Sequence, residues 1–331
     1  MDNNWVLQKI RTACLHRLVA WGIALGCVVL FLAAEHRYIV NFFGGPFELG
    51  KTELDAISDV SAAPRYYARV TGSKAINTGI QQITVRKRAG VETSRSVSGQ
   101  FYVLLVGDRL LVVKSSAGAQ TTSEGELRAM HSELEGKFFG TPDMQAIKKR
   151  FYAFYVDDSS FRLPGYIGAA VIVLFGFLLY RFGVPSLRHF LAPSSHPVAR
   201  KLASWGDPGT IAAEAELESR TPRHKSGGWL VTGKYFIQST FFTFDVLRMS
   251  DLLWAYKRVT SSNLVKKYNA VLVCSDAKID IRGSEKNVDA ILTSASERAP
   301  WAVFGFSTEI EEQFNKKQQD FRAAVEQRRR D

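Results

Sequence analysis

Residues 166–180 read YIGAAVIVLFGFLLY, with no charged or strongly polar side chain between Tyr166 and Tyr180, and Arg181 follows at once. No other stretch restricts the chain so severely. Hydrocarbon leaves unpaired backbone groups unsolvated, so such a run is stable in lipid only as a helix. From 163 to 184, at about 1.5 Å per residue, that helix reaches roughly 33 Å, the thickness of a bilayer core. Tyr166 and Tyr180 then fall at the two interfaces, and Arg181 snorkels to the nearer one. The sequence predicts a transmembrane helix over 163–184.

A second greasy run, 18–34 (LVAWGIALGCVVLFLAA), comes before it. It reads either as a secretory signal or as a retained anchor. Leu32-Ala33-Ala34 makes a poor cleavage site, because Leu32 stands where a small residue belongs, and the basic region in front is long. A retained transmembrane helix is the better account, near the short end of the spanning range. Residues 1–17 mix Trp5, Val6, Leu7 and Ile10 with Lys9, Arg11 and Arg17. They read as an amphipathic helix at the membrane surface or as a charged flank that only orients the span. Lys9, Arg11 and Arg17 before the first run, with Arg181, Arg188, Arg200 and Lys201 after the second, put both termini in the cytoplasm and 35–162 outside. The expected location is a cytoplasmic membrane.

With 331 residues, the chain has room for two soluble domains beside the spans. Its net charge of +11 is spread along the chain, without the concentrated patch that nucleic acid requires. Membrane lipids with anionic headgroups are the expected counterpart. Three cysteines, Cys14, Cys27 and Cys274, lie far apart, with no CxxC or Cys/His cluster, so no metal site is expected. Residues 35–163 hold no cysteine and must be stabilised by their core alone.

Within 35–162, the runs 67–71, 80–87, 101–106 and 110–114 are short, β-branched and partly alternating, and Gly107-Asp108 separates the last two. They predict a small β-barrel or sandwich, with a five-stranded OB-like barrel preferred. Phe151, Tyr152, Phe154 and Tyr155 fit either an interfacial aromatic belt or the core of that module. Pro185, Pro193 and Pro197 mark a linker over 185–197. Residues 198–331 begin with helices near 198–204 and 210–219. Strands follow at 229–232, 235–239, 243–249, 252–259, 270–274 and 278–282. Ser284 is an N-cap for a helix over 285–298, and Ser307 for one long helix from 308 to about 329. The fold class is a membrane α+β protein.

The strand series 229–282, the stretch Asp251-Leu252-Leu253-Trp254-Ala255-Tyr256 and the closing helices resemble a pleckstrin-homology (PH)-like module of the bacterial type. The order span, β-module, span, PH-like module resembles a bacterial family of two-span membrane proteins of uncharacterised function. His196-Pro197 and Glu297-Arg298-Ala299-Pro300-Trp301 through Gly305 are similar to its recurring features. That family implies no activity for this chain. The layout also resembles two-span organelle ubiquitin ligases, but those need a zinc-binding RING after the second span, where this chain has only Cys274.

Gly45-Pro46-Phe47-Glu48-Leu49-Gly50-Lys51-Thr52 satisfies the phosphate-cradling pattern GxxxxGK[ST], with Gly45, Gly50, Lys51 and Thr52 in the defining positions. Pro46 removes a backbone donor, Glu48 sets a negative charge beside a polyanion, and antiparallel strands follow where alternating β and α are needed. His16, His36, His131, His189, His196 and His224 show no HExxH spacing, and there is no GxSxG elbow. Gly22 and Gly26 form a GxxxG in the first run; Gly165 and Gly168 give the second a small-residue face. Such faces pack spans together or pair two copies of a chain. Lys257, Arg258, Lys266 and Lys267 form a basic hairpin suited to anionic headgroups, or simply a solvated face. The expected function is a non-enzymatic scaffold or sensor that binds protein partners, without a cofactor. The alternatives are a lipid- or small-ligand-binding protein and, more remotely, a nucleotide hydrolase acting through Lys51.

Overall fold

The computed structural model describes residues 4–88, 91–262 and 265–330. The chain is mixed α and β and divides into two compact units: residues 1–24 with 177–331, and residues 25–176. Among the described residues, two helices are long and apolar enough to cross a membrane, Trp5–Ala34 and Arg162–Leu191, each with a mean hydropathy of 2.1 over its most apolar stretch. Their apolar side chains are uncovered: Val19, Ile23, Val29 and Phe31 on the first, Ile167, Val171, Val173 and Phe177 on the second. The core helix of a soluble domain would bury them.

Trp5–Ala34 is α1, and the amphipathic helix His36–Gly44 is α2. In the 25–176 unit, β1 (Phe47–Glu48) and α3 (Lys51–Asp55) lead into β2 (Tyr67–Thr71), β3 (Lys74–Arg88), β4 (Val91–Val106), β5 (Arg109–Ser115) and β6 (Thr122–Ala129). Then come α4 (Ser132–Phe139), α5 (Pro142–Ile147) and β7 (Phe151–Asp157). The strands form one seven-stranded sheet ordered β1-β2-β6-β7-β5-β4-β3. It therefore has two strands more than the preferred five-stranded barrel. Two of its pairings, β1 with β2 and β5 with β7, are parallel, so it is not a simple meander.

Period-two alternation covers both faces of this sheet. Tyr102, Leu104, Leu111, Val113, Leu127 and Val156 pack on one side with Leu54 of α3. Phe101, Val103 and Val112 pack on the other with Leu134, Phe138 and Phe139 of α4. The run after residue 150 splits between the two cores, Tyr152 and Phe154 going to one and Phe151 and Tyr155 to the other. These aromatics belong to the core and not to an interfacial belt.

The second apolar helix starts as α6 (Arg162–Leu178), passes through a π-helical turn Leu179–Gly183 and continues as α7 (Val184–Leu191). The expected linker at 185 is thus helical for seven residues more. Proline lacks an N–H and crowds the carbonyl four residues back, and a wider π turn just before Pro185 accommodates that defect.

The other unit carries α8 (Pro197–Trp205), α9 (Pro208–Arg220), β8 (His224–Ser226), β9 (Trp229–Val231), β10 (Tyr235–Ser239) and β11 (Phe244–Arg248). β12 (Leu252–Ser262), β13 (Val265–Cys274), β14 (Lys278–Gly283), α10 (Glu285–Arg298) and β15 (Val303–Phe304) follow. The chain closes with α11 (Thr308–Lys316) and α12 (Gln318–Arg330). There are two four-stranded sheets, β11-β10-β9-β8 and β14-β13-β12-β15. Phe236, Leu247, Leu272 and Ile281 meet Val288 and Ile291 of α10 in the core they share. The outer face of the second sheet, with Trp254, Tyr256 and Val271, is covered by Phe321 and Val325 of α12.

The outer face of the first sheet, with Tyr235, Ile237, Phe244 and Val246, is covered by α8, α9 and the front of α1. Val6, Ile10, Ala13 and Cys14 are buried there at helical spacing. Within the expected flank, the described helix from Trp5 onward is thus packed into this unit along one face. Its Val6, Ile10, Ala13 and Cys14 face completes the core of this unit, and the same helix continues into the first apolar run. The expected long closing helix is two helices, broken at Lys317 (φ −134°, ψ 51°) so that Phe314 and Phe321 meet edge to face with ring centres 5.5 Å apart.

Candidate functional site

The residues of the P-loop pattern are engaged with one another and with their neighbours. Gly50 opens α3, and its N–H donates to Glu53 Oε2 at 3.0 Å. Lys51 Nζ lies 2.6 Å from Asp55 and 3.2 Å from Asp108. Asp55 also accepts from Tyr152 Oη at 3.0 Å and from Arg109 at 3.1 Å. The Lys51 ammonium, with these two donors behind it, holds the Asp55 carboxyl down at about 2. Glu48 pairs with Arg69 at 3.0 Å, the Gly45 carbonyl accepts from Arg162 at 2.7 Å, and Thr52 is exposed. Five-residue α3 thus presents an ion-pair cluster in which the lysine already faces two carboxylates.

The four glycines differ. A Cβ at Gly22, Gly26 or Gly168 would meet nothing within 4 Å. One at Gly165 would fall 2.3 Å from the Phe42 ring and 2.8 Å from the Tyr38 hydroxyl. Gly165 is where α6 packs on α2, and Tyr38 Oη donating to the Phe161 carbonyl at 2.9 Å fastens the same junction. Beside it lies an apolar groove of about 310 Å³, lined by Phe31, Leu32, Tyr38, Phe42, Ala169 and Ile172.

The basic hairpin is half neutralised. Lys257 reaches Glu285 at 2.7 Å and Asp289 at 3.0 Å on α10, and Arg258 reaches Asp280 at 2.9 Å. Lys266 and Lys267 are exposed. Both partners of the first pair lie in the acidic opening turns of α10, a charge match that the hairpin sequence by itself does not reveal.

An open groove of about 850 Å³ along α11 and α12 carried no signal in the sequence. Val303, Ile310, Phe321 and Val325 form its floor, and Glu309, Glu312, Lys316, Lys317, Asp320 and Arg328 stand among its walls. The helix break at Lys317 opens it, and a single unbroken helix would not. The Trp254 ring gathers Phe306, Phe314 and Phe321, with ring centres 6.2, 5.8 and 6.4 Å from its own, and Phe314 meets Phe321 edge to face at 5.5 Å. An apolar floor with charged walls of both signs suits a helical or extended peptide segment better than a small polar substrate. Among the described residues, no group of three or more His, Cys, Asp or Glu side chains is placed to hold a metal ion.

Compared with protein-family models, with curated proteins and with solved structures, the chain matches none.

Proposed function

We propose that the chain is a two-span protein of a cytoplasmic membrane, with both termini cytoplasmic, acting as a non-enzymatic scaffold or sensor. One observation carries this reading: α1 has two environments. Val6, Ile10, Ala13 and Cys14 are buried against Val198, Leu202 and Val246, whereas Val19, Ile23 and Val29 farther along have no protein cover. A core contact between residues 6–14 and 198–246 requires both to be in one compartment. The chain leaves that unit through one bare apolar helix and returns through another, which is what a pair of membrane crossings provides. Loss of 1–34 as a signal would also strip a core helix from the C-terminal unit, which favours retention. Two four-stranded sheets followed by closing helices support a PH-like relationship for residues 198–331.

The α11–α12 groove is the proposed partner-binding site. A photo-crosslinking residue at Gln313, in full-length protein in its native membrane, is expected to trap one discrete adduct, and the same residue at Glu216 on α9 none. Equal or absent adducts at both positions exclude the groove. The alternative, a lipid-binding protein, is favoured by the apolar groove beside Gly165, whose lining suits an acyl chain. Native mass spectrometry of protein released from mild detergent checks it. A retained lipid that an Ala169→Trp change expels supports that reading, and no retained lipid removes it.

A further inference from the structure

Two adjacent phenylalanines stand where a soluble hairpin ordinarily carries polar residues. Residues 240–243, Thr-Phe-Phe-Thr, join β10 to β11, and Phe241 and Phe242 are 62% and 46% exposed. The tip is stiff: Thr240 N–H donates to the Thr243 carbonyl at 2.9 Å, and Thr243 N–H to the Thr240 hydroxyl at 3.0 Å. It is also fastened to α1. The His16 ring stacks on Phe241 with centres 3.7 Å apart and planes 2° from parallel. His16 Nδ1 lies 2.8 Å from the Phe241 carbonyl, and Arg17 Nε donates to the Phe242 carbonyl at 2.6 Å.

These contacts fall on the turn of α1 where basic sequence gives way to the uncharged run 18–34. Leu15 and Val19, on that same turn and the next, are exposed as well. The aromatic tip therefore sits at the level where the helix changes from water-soluble to lipid-soluble. Arg17, Arg188 and Arg200 have no carboxylate within ion-pair distance among the described residues. Lys201 is neutralised by Asp245 and Asp276. The His189 and His196 rings meet with centres 4.8 Å apart near this level. Aromatic rings backed by uncompensated cations match the headgroup zone of an anionic leaflet, apolar below and negatively charged above.

We infer that the Phe241–Phe242 tip is a membrane wedge. Both rings enter the boundary between headgroups and acyl chains of the leaflet that α1 enters, and Arg17, Arg188 and Arg200 face the lipid phosphates. The inference rests on the proposed crossing of the bilayer by α1. It adds that the C-terminal unit is held against the lipid surface by its own hairpin and does not hang from the helices alone.

Depth-dependent fluorescence quenching of the full-length chain tests this. In a Cys27→Ala background, an environment-sensitive dye is placed singly at Phe241→Cys, Phe242→Cys, Ile23→Cys or Leu217→Cys; Cys14 and Cys274 are buried. Each variant is reconstituted into phosphatidylcholine–phosphatidylglycerol vesicles carrying nitroxide lipids, labelled either high or deep on the acyl chain. Dye at 23 is expected to lose most of its emission to the deep quencher, and dye at 241 and 242 to the shallow one. Dye at 217, exposed on α9, is expected to respond to neither. If 23 is quenched while 241 and 242 behave like 217, the wedge is wrong and the crossing stands. If 23 is not quenched by either lipid, the crossing fails and the wedge with it. Shallow quenching at 242 that is unchanged when phosphatidylglycerol is left out contradicts the role given to the arginines.

Discussion

Asn41 is fully buried, and both ends of its side-chain amide are used. Its Nδ2 donates to the Arg37 and Pro64 carbonyls at 2.9 and 2.8 Å, and its Oδ1 accepts from Tyr66 and Tyr67 N–H at 2.8 and 3.0 Å. One residue thus fixes α2 to the entry of β2. Asn41→Ala leaves these groups unpaired in a dry site and is expected to cost about 2–4 kcal/mol. All six tryptophans, residues 5, 21, 205, 229, 254 and 301, lie in the other unit. The expected result is therefore faster amide exchange in β2 with an unchanged tryptophan melting curve.

His196 belongs to the opposite regime. Burial, then the neighbouring His189 and the cations Arg17, Arg200 and Lys201, push it down from 6.5 to about 4. Its neutral Nδ1 accepts from Val198 N–H at 3.2 Å and caps α8. Because the folded value is depressed for a basic group, the unfolded chain takes up the proton first. Stability of this unit is full above about pH 6.5 and falls as pH drops to about 4, by of order 1–3 kcal/mol. Tryptophan-detected melting between pH 7 and 4 is expected to show this slope. His196→Asn, which keeps a capping acceptor, is expected to flatten it relative to wild type. Asn41 is inconspicuous in the sequence, and His196-Pro197 stands out there only as a pair, because each side chain acquires its role only when distant segments close around it.

Among elements, the front of α1 departs most from what its sequence suggests. Its bases and aromatics read as a membrane flank, yet Val6, Ile10, Ala13 and Cys14 complete a core whose other buried members begin only at Val198, far along the chain. Nothing local in the chain encodes that partner. Ile10→Ala is expected to lower unit stability by about 2–4 kcal/mol in a tryptophan-detected denaturation, whereas Ile23→Ala on the bare part of the same helix changes it by less than about 0.5 kcal/mol. Gly165→Leu must displace the Phe42 ring and is expected to loosen α6 from α2, seen as faster exchange at the start of α6; Gly22→Leu meets open space and leaves exchange unchanged.

Elements whose signal is local were legible. β10 and α10 fall at the residues expected, and Ser284 and Ser307 cap as their positions implied, accepting from Asn287 and Ile310 N–H at 3.3 and 3.2 Å. What escaped was set by tertiary contact: the strands β1, β6 and β7, the short β8 and β15, and the break at Lys317. Periodicity runs smoothly through 308–329, so only the docking of Phe314 and Phe321 on Trp254 accounts for two helices in place of one. The α11–α12 groove was hidden for the same reason.

At the scale of the whole molecule, two apolar runs were enough to foresee two long bare helices, because a run of that kind is written in contiguous sequence. Binding partners leave no such contiguous mark, and the grooves had to be found in three dimensions. The most direct test of the two-span claim uses single cysteines at Ser116, in the 25–176 unit, and Asn315, on α11, in a Cys27→Ala background. Sealed membrane vesicles of one orientation are treated with a membrane-impermeant maleimide before and after permeabilisation. One site is expected to label at once and the other only after the membrane is opened. Immediate labelling of both, or recovery of the intact chain in the supernatant without detergent, would contradict the two-span claim.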